Sequence, residues 1–505
     1  MKKAVKRNAL LTSVFSVTGL LILSKLLGFV KQMMTAAAFG ATLETDLINL
    51  SQGLIGNLEY LLVQSVLSAL IAVYLHTSQQ GEDMACRFAF DVWKALTVIA
   101  AAAVLLVELS SPWLACLIAP SYSAEYLASL SSYLRLFAPV LLLLVWTAVF
   151  NGLLHANKRF IPGEMISVHQ SVLLIALTAL LSRRLGVSVL VVAFFAYNIY
   201  NALYTAVLSR RYWAVFLGNP FRNPAVRQLL CMMLPLLAGY SLVYVNQMVD
   251  KALVSGLEIG AVTALNYASV LSNLVSTFIT TFASMLFAYA TEHIAMGDEA
   301  GAAQLTNRTT LLLLTGFFPV CLLTCLCAED IVTIIYARGA FDAESVRICA
   351  MALRGYALMF VPLVVREVYS RYLYGHQDSK RPMVNSGIAA VCNIVLSIAL
   401  CPFFGVLGVA VATSISVMVC AALDLHTAYQ AHSVLRGSGV VHSLPWLLTG
   451  GAACLAAARI GLRAFSGMAP FPRFVFTALL GFAAYAVAAS PLLLRLLRQL
   501  RQKEN

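Results

Sequence analysis

The stretch SKLLGFVKQMMTAAAFGATLETD, residues 24–46, lies within the first long apolar run of the chain and carries two lysines. On a helix that turns about 100° per residue, its first polar and small residues fall within one arc of roughly 120°. They are Ser24, Lys25, Gly28, Lys31 and Gln32. A lysine near the bilayer centre costs roughly 2.5–3.5 kcal/mol, so two lysines on one face predict a water-filled path or a bound anion.

A simpler interpretation of the same segment needs no path. Lys25 and Lys31 could extend towards opposite membrane surfaces while their aliphatic stems stay among apolar side chains. The two interpretations differ in whether water reaches the lysine-bearing face. Both make this segment a membrane helix.

The composition excludes a soluble globular protein. Of 505 residues, 61% are apolar and only 11% are charged, which is too little polar surface for a globule of this length. Apolar runs of about 20 residues recur along the chain, whereas the alternating strands of outer-membrane barrels are absent. The sequence therefore predicts an all-α polytopic membrane protein. The first run is expected to be a retained helix, because it is too long for a signal peptide and contains lysines.

The apolar runs predict about fourteen membrane-spanning helices, which places both termini on one side of the membrane. The expected spans are 10–38, 45–75, 88–109, 131–155, 164–182, 187–208, 227–253, 261–290, 309–327, 348–374, 383–402, 405–429, 444–463 and 473–494. Basic residues concentrate near the start, at 158–159, 210–227 and 380–381, and in the C-terminal tail. By the positive-inside rule these segments and both termini are cytoplasmic. This distribution explains the net charge of +12 without a nucleic-acid partner.

An internal repeat divides the chain into two halves of equal orientation. LRLFAPVLLLLVWTAVFNGLLHANKRFIP from Leu134 aligns with LRGYALMFVPLVVREVYSRYLYGHQDSKRP from Leu353, which pairs Arg135 with Arg354. An even number of spans separates the copies, so we expect two pseudo-symmetric six-helix lobes related by an axis along the membrane normal. The expected domains are an N-terminal lobe at 1–208, a cytoplasmic linker at 209–226, a C-terminal lobe at 227–430, and two extra helices with a basic tail at 431–505.

Ionisable residues at membrane depth are candidates for a site. Span two carries Asp46 near its outer end and Glu59 near its middle, and Glu59 is expected opposite Lys25 or Lys31. A carboxylate at such a depth requires a cation or a proton. Span two is therefore expected to face the lysines of span one.

Span seven carries a polar face, with Asn246 and Asp250 beside it. The face is formed by Tyr240, Tyr244, Gln247 and Lys251. This pattern predicts either a cavity wall with an ion ligand, or an interaction of the two charges with neighbouring helices that only holds the bundle. The two interpretations stay open at this point.

Span ten is rich in arginine. Glu367 precedes Arg371 at the i, i+4 spacing, which is the favoured order of a helical ion pair. Arg354 and Arg366 have no partner on the same helix. They are candidates for an anion path.

No motif for catalysis is found. The chain has no GxxxxGK[ST] phosphate loop, no HExxH, no GxSxG and no large soluble domain. The eleven cysteines show no paired spacing, so neither a disulfide framework nor a metal site is expected. No catalytic residue and no bound cofactor is predicted, and energy would have to come from a gradient or a partner. Cations at mid-depth in a repeat-built membrane protein indicate a secondary transporter or flippase for an anionic substrate.

Several segments in order along the chain resemble the MurJ/MviN lipid II flippases of the multidrug/oligosaccharidyl-lipid/polysaccharide (MOP) exporter superfamily. They are residues 24–46, VDKALVSGLEIGAVTALNYASVL from Val249, IIYARGAFDAESV from Ile334, YGHQDSKRP from Tyr374 and GVLGVAVATS from Gly405. The resemblance implies two six-helix lobes around a central cavity, with the last two helices forming a groove for a polyprenyl tail. It also implies alternating-access transport of an undecaprenyl-diphosphate-linked disaccharide pentapeptide to the outer leaflet, for peptidoglycan synthesis.

The resemblance implies a location and partners as well. The expected location is the bacterial cytoplasmic (inner) membrane. The expected partners are the lipid bilayer, the polyprenyl-diphosphate lipid and other cell-wall synthesis proteins. The implied energy source is a Na⁺ or H⁺ gradient or the membrane potential.

By the resemblance, the basic residues of the first span fall on Lys25 and Lys31, both lysine where arginine is usual, and an acidic residue falls on Asp46. Where adjacent arginines are usual in span two, this chain has Glu59 and Tyr60, so the anion clamp is depleted. The candidate substrate-binding residues are Lys25, Lys31, Gln32, Asp46, Glu59, Arg354 and Arg366.

A sodium site described for some relatives would fall on Asp250, Asn393, Ser397 and Thr413. Serine here takes the place of a carboxylate ligand. Fewer charged ligands predict weak or absent sodium binding.

Four other functions are consistent with parts of the pattern. A divergent relative could move another polyprenyl-diphosphate glycan, or export drugs with cation coupling. A drug exporter would have no need for two extra helices, and would favour an anionic cavity over Lys25 and Lys31. A non-transporting scaffold for wall-synthesis enzymes would have no use for a polar face turned into a cavity. A membrane glycosyltransferase would require a carboxylate-rich cytoplasmic loop, which this sequence lacks.

Overall fold

Most of the described chain is helical. This computed structural model describes residue 20, residues 23–437 and residues 439–494. No strand occurs in these ranges, which confirms the predicted all-α membrane fold. The start of the first expected span and the basic residues of the C-terminal tail lie outside the described residues.

The helices divide between two compact units. The first unit comprises Met1–Val262 and Arg338–Phe341, and the second comprises Thr263–Ala337 and Asp342–Asn505. The helices that end before the first boundary are α1 (23–39), α2 (Leu43–Ser78), α3 (Glu82–Ile118), α4 (Ala124–Phe137), α5 (Val140–Ala156), α6 (Ile161–Leu185), α7 (Val189–Ser209) and α8 (Pro224–Val254). The later helices are α9 (Ala261–Ala295), α10 (Glu299–Leu326), α11 (Ala328–Tyr336), α12 (Ala343–Ala357), α13 (Phe360–Gly375), α14 (Lys380–Ala431), α15 (Gly439–Ala464) and α16 (Pro470–Ala488).

The segment expected as a linker between lobes packs inside the first unit. Lys94 Nζ of α3 donates hydrogen bonds of 3.0 Å to the carbonyl oxygens of Phe216 and Gly218. Trp213 from the same segment stacks on Phe90 of α3, with ring centroids 5.8 Å apart. The segment is thus bound to α3, and the division of the chain into two lobes around a linker stays a prediction.

Nine helical stretches of the described chain are long and apolar enough to cross a membrane, or ten if one bent pair counts as a single span. Two of the nine are 52 residues long, Ile161–Tyr212 and Lys380–Ala431. Gly405 interrupts the second with φ 57° and ψ −135°, a conformation that glycine adopts readily. The predicted spans 383–402 and 405–429 fall on either side of this break. The count of fourteen crossings stays a prediction.

Spans four and ten each consist of two helices separated by a short break. α4 ends at Phe137 and α5 begins at Val140, after Pro139, which has no N–H to continue the helical hydrogen bonds. α12 ends at Ala357 and α13 begins at Phe360, with a bend of 40° between them. Both breaks follow the arginine that the repeat aligns. The two breaks therefore support the internal repeat.

Polar residues before apolar runs determine where several helices begin. Thr42 and Thr45 form a capping box at the start of α2. At the start of α12, Asp342 accepts a 2.8 Å hydrogen bond from the N–H of Ser345. These side chains satisfy N–H groups that the first helical turn leaves without an intrahelical acceptor.

The two last helices pack within the second unit against α10 and α11. A Cβ on Gly451 of α15 would overlap the ring of Phe318, so glycine permits the close approach to α10. Arg473 Nε of α16 donates to both carboxylate oxygens of Asp330 of α11 at 3.0 Å. Asp330 is 2% exposed, so its carboxylate has lost its contact with water. The ion pair compensates for this loss and holds α16 against α11. A groove for a lipid tail beside these helices stays a prediction.

We predict that Arg473→Ala lowers the free energy of unfolding by roughly 1.5–3 kcal/mol, because the buried Asp330 carboxylate loses its charged donor. Thermal unfolding of the detergent-purified protein measures the loss as a lower melting temperature. The matched control is Arg463→Ala, which removes an exposed arginine from the last turn of α15 and should change the melting temperature little. Equal effects of the two variants would contradict the role of the ion pair.

Candidate functional site

Both faces of α1 are accessible. Lys25 is exposed, and Lys31 and Gln32 are half-buried. On the apolar side, Leu26 and Val30 are 59% and 42% exposed. The apolar side suits lipid, and the lysine-bearing side suits water or an anion.

Three loops of the first unit meet beside the end of α1. They form the three-loop junction, residues 40–42, 255–260 and 338–341. The N–H of Ala340 donates a 3.0 Å hydrogen bond to the carbonyl oxygen of Ala37. The N–H of Gly260 donates a 2.8 Å hydrogen bond to Oδ2 of Asp46 at the start of α2. Backbone groups therefore hold the turn between α1 and α2 from two sides.

Two glycines permit the close approach of these loops. Gly339 has φ 61°, and a Cβ there would overlap the carbonyl oxygen of Ala37. Gly260 has φ 86°, and a Cβ there would overlap the carbonyl oxygen of Ala41. Side chains other than glycine would meet both a strained backbone and an occupied space. The junction explains why these glycines stand in two of the segments that carry the family resemblance.

Asp46, predicted to contact substrate, lies in the three-loop junction. Asp46 is 1% exposed, and its carboxylate accepts the hydrogen bond from the N–H of Gly260. In this geometry the carboxylate links α2 to the loop before α9. The structure thus supports an anchoring role for Asp46, and its contact with substrate stays a prediction.

Another lysine of the first unit lies between helices. Lys251 of α8 directs its ammonium towards α2 at Gly53, where a Cβ would overlap Nζ. Asp250, its neighbour in sequence, is 7% exposed. The sequence pattern left open whether these charges contact neighbouring helices, and Lys251 does contact α2. Sequence reasoning missed Gly53, although a glycine within an apolar helix is a signal of such a close approach.

The predicted arginine candidates of span ten have acidic neighbours. Arg354 Nη2 lies 3.4 Å from Glu329 Oε2 of α11, and both side chains are exposed. Arg371 pairs with Glu367, which confirms the predicted helical ion pair. Glu59 belongs to α2, but its side chain lies outside the part of the chain that the structure describes.

Arg366 lies in a polar cluster of the second unit. Its guanidinium is close to the Cys420 thiol and the Asp424 carboxylate of α14. Asp424 is 1% exposed and accepts a 2.8 Å hydrogen bond from Asn385 Nδ2. The candidate arginine therefore has an acidic neighbour on α14, which the sequence pattern did not indicate. Sequence reasoning missed Asp424, a lone acid at the end of an apolar run.

The four predicted ion ligands are divided between the two units, with Asn393, Ser397 and Thr413 in the second. Asn393 and Ser397 are fully buried, and Ser397 Oγ donates a 3.0 Å hydrogen bond to Asn393 Oδ1. Thr413 Oγ1 donates to the carbonyl oxygen of Val409 at 3.2 Å. Asp250 belongs to the first unit. The sodium site stays a prediction.

Comparison with known proteins assigns the family. A family model described as lipid II flippase MurJ matches residues 35–481. The chain belongs to the MurJ family. A probable lipid II flippase MurJ of Borreliella burgdorferi is 24% identical over 404 residues, 79% of each chain. A lipid II flippase MurJ of Burkholderia cenocepacia is 25% identical over 391 residues, 74% of this chain and 75% of that protein.

Solved structures show the same fold for this MurJ family member. A structure of lipid II flippase MurJ in an inward closed conformation has a TM-score of 0.79 at 18% identity, covering 96% of this chain and all of that one. An inward-facing multidrug resistance MATE family transporter of the MOP superfamily has a TM-score of 0.65 at 14% identity. It covers 82% of this chain and 96% of that one. The predicted membership of the MurJ family is confirmed, and the MATE family transporter shares the fold.

We predict that Asp46→Ala lowers the free energy of unfolding by about 1–3 kcal/mol, because the buried N–H of Gly260 loses its acceptor. Asp46→Asn keeps an acceptor oxygen and should lose less. Melting temperatures of the purified variants measure both effects. A variant that keeps the melting temperature of the unchanged protein but fails to bind substrate would instead show a direct substrate contact.

Proposed function

We propose that this MurJ family member carries lipid II from the inner to the outer leaflet of the bacterial cytoplasmic membrane. The observation that carries the proposal is the family match over residues 35–481. The lysine-bearing face of α1 supplies a suitable chemistry, since an ammonium group binds phosphate as a point charge, without the bidentate fork of arginine. A diphosphate headgroup that enters from the cytoplasm would exchange its water for these donors. Other cell-wall synthesis proteins would be partners on either side of the membrane.

Transport would proceed by alternating access without ATP. Moving one negative charge outward down an inside-negative potential gains about 2.3 kcal/mol per 100 mV. The membrane potential could therefore drive the headgroup outward or reset a cation-lined path. A Na⁺ or H⁺ gradient is the other energy source, with Asp250, Asn393, Ser397 and Thr413 as the candidate ion ligands.

We predict that both termini are cytoplasmic, because basic residues cluster at the turns that would share their side. Reporters fused after Arg159 and Arg381 should then report the cytoplasm, and a reporter after Glu258 the outside. On this orientation the three-loop junction lies at the outer face of the membrane. A further reporter fused after Arg222 is decisive. If Arg222 is external, both the predicted number of spans and the predicted axis of the repeat are wrong.

We predict that Lys25→Ala and Lys31→Ala each reduce flipping, while Lys→Arg at either position retains it. Lys31→Glu should be the most harmful variant, because it places a carboxylate where a diphosphate would pass. The measurement is the fraction of lipid II accessible to a probe outside cells that depend on this protein. The matched control is Lys380→Ala, which removes an exposed lysine at the start of α14. This variant should transport lipid II normally.

Normal growth of such cells with both α1 lysines changed to alanine would refute the anion-path mechanism. Immunoblots of membrane fractions establish that each variant inserts. The same cells identify the cargo, because depletion of the protein should cause its lipid-linked precursor to accumulate on the cytoplasmic leaflet.

A flippase for another polyprenyl-diphosphate glycan is the second candidate. Glu59 and Tyr60 stand where adjacent arginines are usual in the family, and this change in headgroup contacts favours a different glycan. Accumulation of a precursor other than lipid II after depletion would select this candidate.

A further inference from the structure

Three side chains at helix ends of the second unit converge on one point. Glu299 is the first residue of α10, His376 follows α13, and His432 follows α14. His376 Nε2 lies 3.1 Å from Oε1 and 3.0 Å from Oε2 of Glu299. His432 Nδ1 lies 3.7 Å from the same Oε2. All three residues are half-buried, and one ligand atom of each lies within 4.8 Å of the others.

The hydrogen bonds of His376 point to a cation beside Nε2. Its Nδ1 lies 2.9 Å from the carbonyl oxygen of Tyr372, which can only accept a hydrogen bond. Its Nε2 faces the Glu299 carboxylate, which also accepts when ionised. A neutral imidazole carries one N–H and cannot donate to both acceptors. With Nδ1 as the donor to Tyr372, the Nε2 lone pair faces the Glu299 carboxylate, and a metal ion between them would be bound by both.

The neighbouring ring supplies a second nitrogen ligand. The ring centroids of His376 and His432 are 3.9 Å apart, and His432 Nδ1 faces the same Glu299 oxygen as His376 Nε2. The nearby Arg381 is paired with Asp378 at 3.4 Å. A neutral imidazole is the form that binds metals.

We propose that Glu299, His376 and His432 bind one divalent transition-metal ion, with Zn²⁺ as the best fit and water as the fourth ligand. Two imidazole nitrogens and one carboxylate oxygen are a common ligand set of zinc. Bonds of about 2.0–2.1 Å in a tetrahedral site place ligand atoms about 3.3 Å apart, which lies within the range of separations observed here. Mg²⁺ and Ca²⁺ prefer oxygen ligands and fit this set poorly.

The surroundings already orient the ligands. The hydrogen bond from His376 Nδ1 to the carbonyl oxygen of Tyr372 is the kind of second contact that fixes the ring of a metal-binding histidine. The buried Tyr372 hydroxyl donates a 3.4 Å hydrogen bond to Glu299 Oε2. A bound ion would join the start of α10 to the ends of α13 and α14. The site would thus stabilise the packing of these three helices in the second unit and take no part in catalysis.

The cysteine spacing predicted no metal site, and it could not reveal this one. The three ligands lie on separate segments, and each is a lone residue at the end of a helix. Only the packing of α10, α13 and α14 brings them together. A motif search by spacing therefore has nothing to detect.

Zinc titration of the full-length protein tests the proposal. The protein is purified in detergent, stripped with a chelator, and titrated with Zn²⁺ in competition with a chromophoric chelator. We expect one site whose affinity falls at least tenfold in Glu299→Gln, His376→Gln and His432→Gln. Zinc should raise the melting temperature of the unchanged protein and not of these variants.

The matched control is His293→Gln. His293 Nδ1 pairs with Asp298 Oδ2 at 2.8 Å, one turn before α10, and this second histidine–carboxylate pair should not affect zinc affinity. Replacement of Zn²⁺ by Co²⁺ distinguishes binding at this site from binding by any of the eleven cysteines. A tetrahedral spectrum without a thiolate charge-transfer band is expected.

Three results would overturn the proposal. The first is zinc binding by the unchanged protein that is no tighter than binding by a variant lacking all three ligands. The second is a Co²⁺ spectrum with a thiolate band, and the third is an equal loss of affinity in His293→Gln. Any of these would leave Glu299 and His376 as an ion pair only. His432→Gln keeps that pair intact, so monodisperse elution of this variant excludes misfolding as the cause of lost affinity.

Discussion

The cost of a buried charge is the constraint on which this structure depends. In a chain with only 11% charged residues, a carboxylate that leaves water requires a donor, because an uncompensated ion in a low-dielectric interior is strongly destabilising. Asp46 accepts from the Gly260 N–H, Asp330 from Arg473, and Asp424 from a buried amide. Gly260 and Arg473 come from other segments of the same unit, and the amide of Asn385 lies on the other side of the Gly405 break in α14. Each carboxylate therefore fixes the position of two segments relative to each other.

The cations follow a different rule. Arg354 and Arg366 lie beside acids on neighbouring helices, and Lys251 extends to α2. Lys25, in contrast, is exposed on the first helix. An accessible cation on a membrane helix is costly unless water or an anion reaches it. The chain belongs to a family described as lipid II flippases, and our proposal assigns this face to the headgroup of that lipid.

Proline and glycine interrupt helices in both units. Pro139 separates α4 from α5, and Gly405 interrupts α14. Both residues free backbone groups that must find other partners, which is tolerable only where protein or water surrounds them. The close approaches at Gly53 and Gly339 likewise require the absence of a side chain. Residues with a small or absent side chain, or with an unusual backbone conformation, thus decide which segments can pack together.

The sequence by itself determined the properties that are local or summed along the chain. Hydropathy indicates membrane helices, the spacing of Glu367 and Arg371 indicates their ion pair, and ordered segments indicate the family. These signals need no knowledge of distant contacts. The pairing of Arg473 with Asp330, and the meeting of three helix ends at Glu299, were decided only by the tertiary structure. Their partners are remote in sequence, and only the packing of helices, which buries apolar surface without regard to sequence distance, places them within reach.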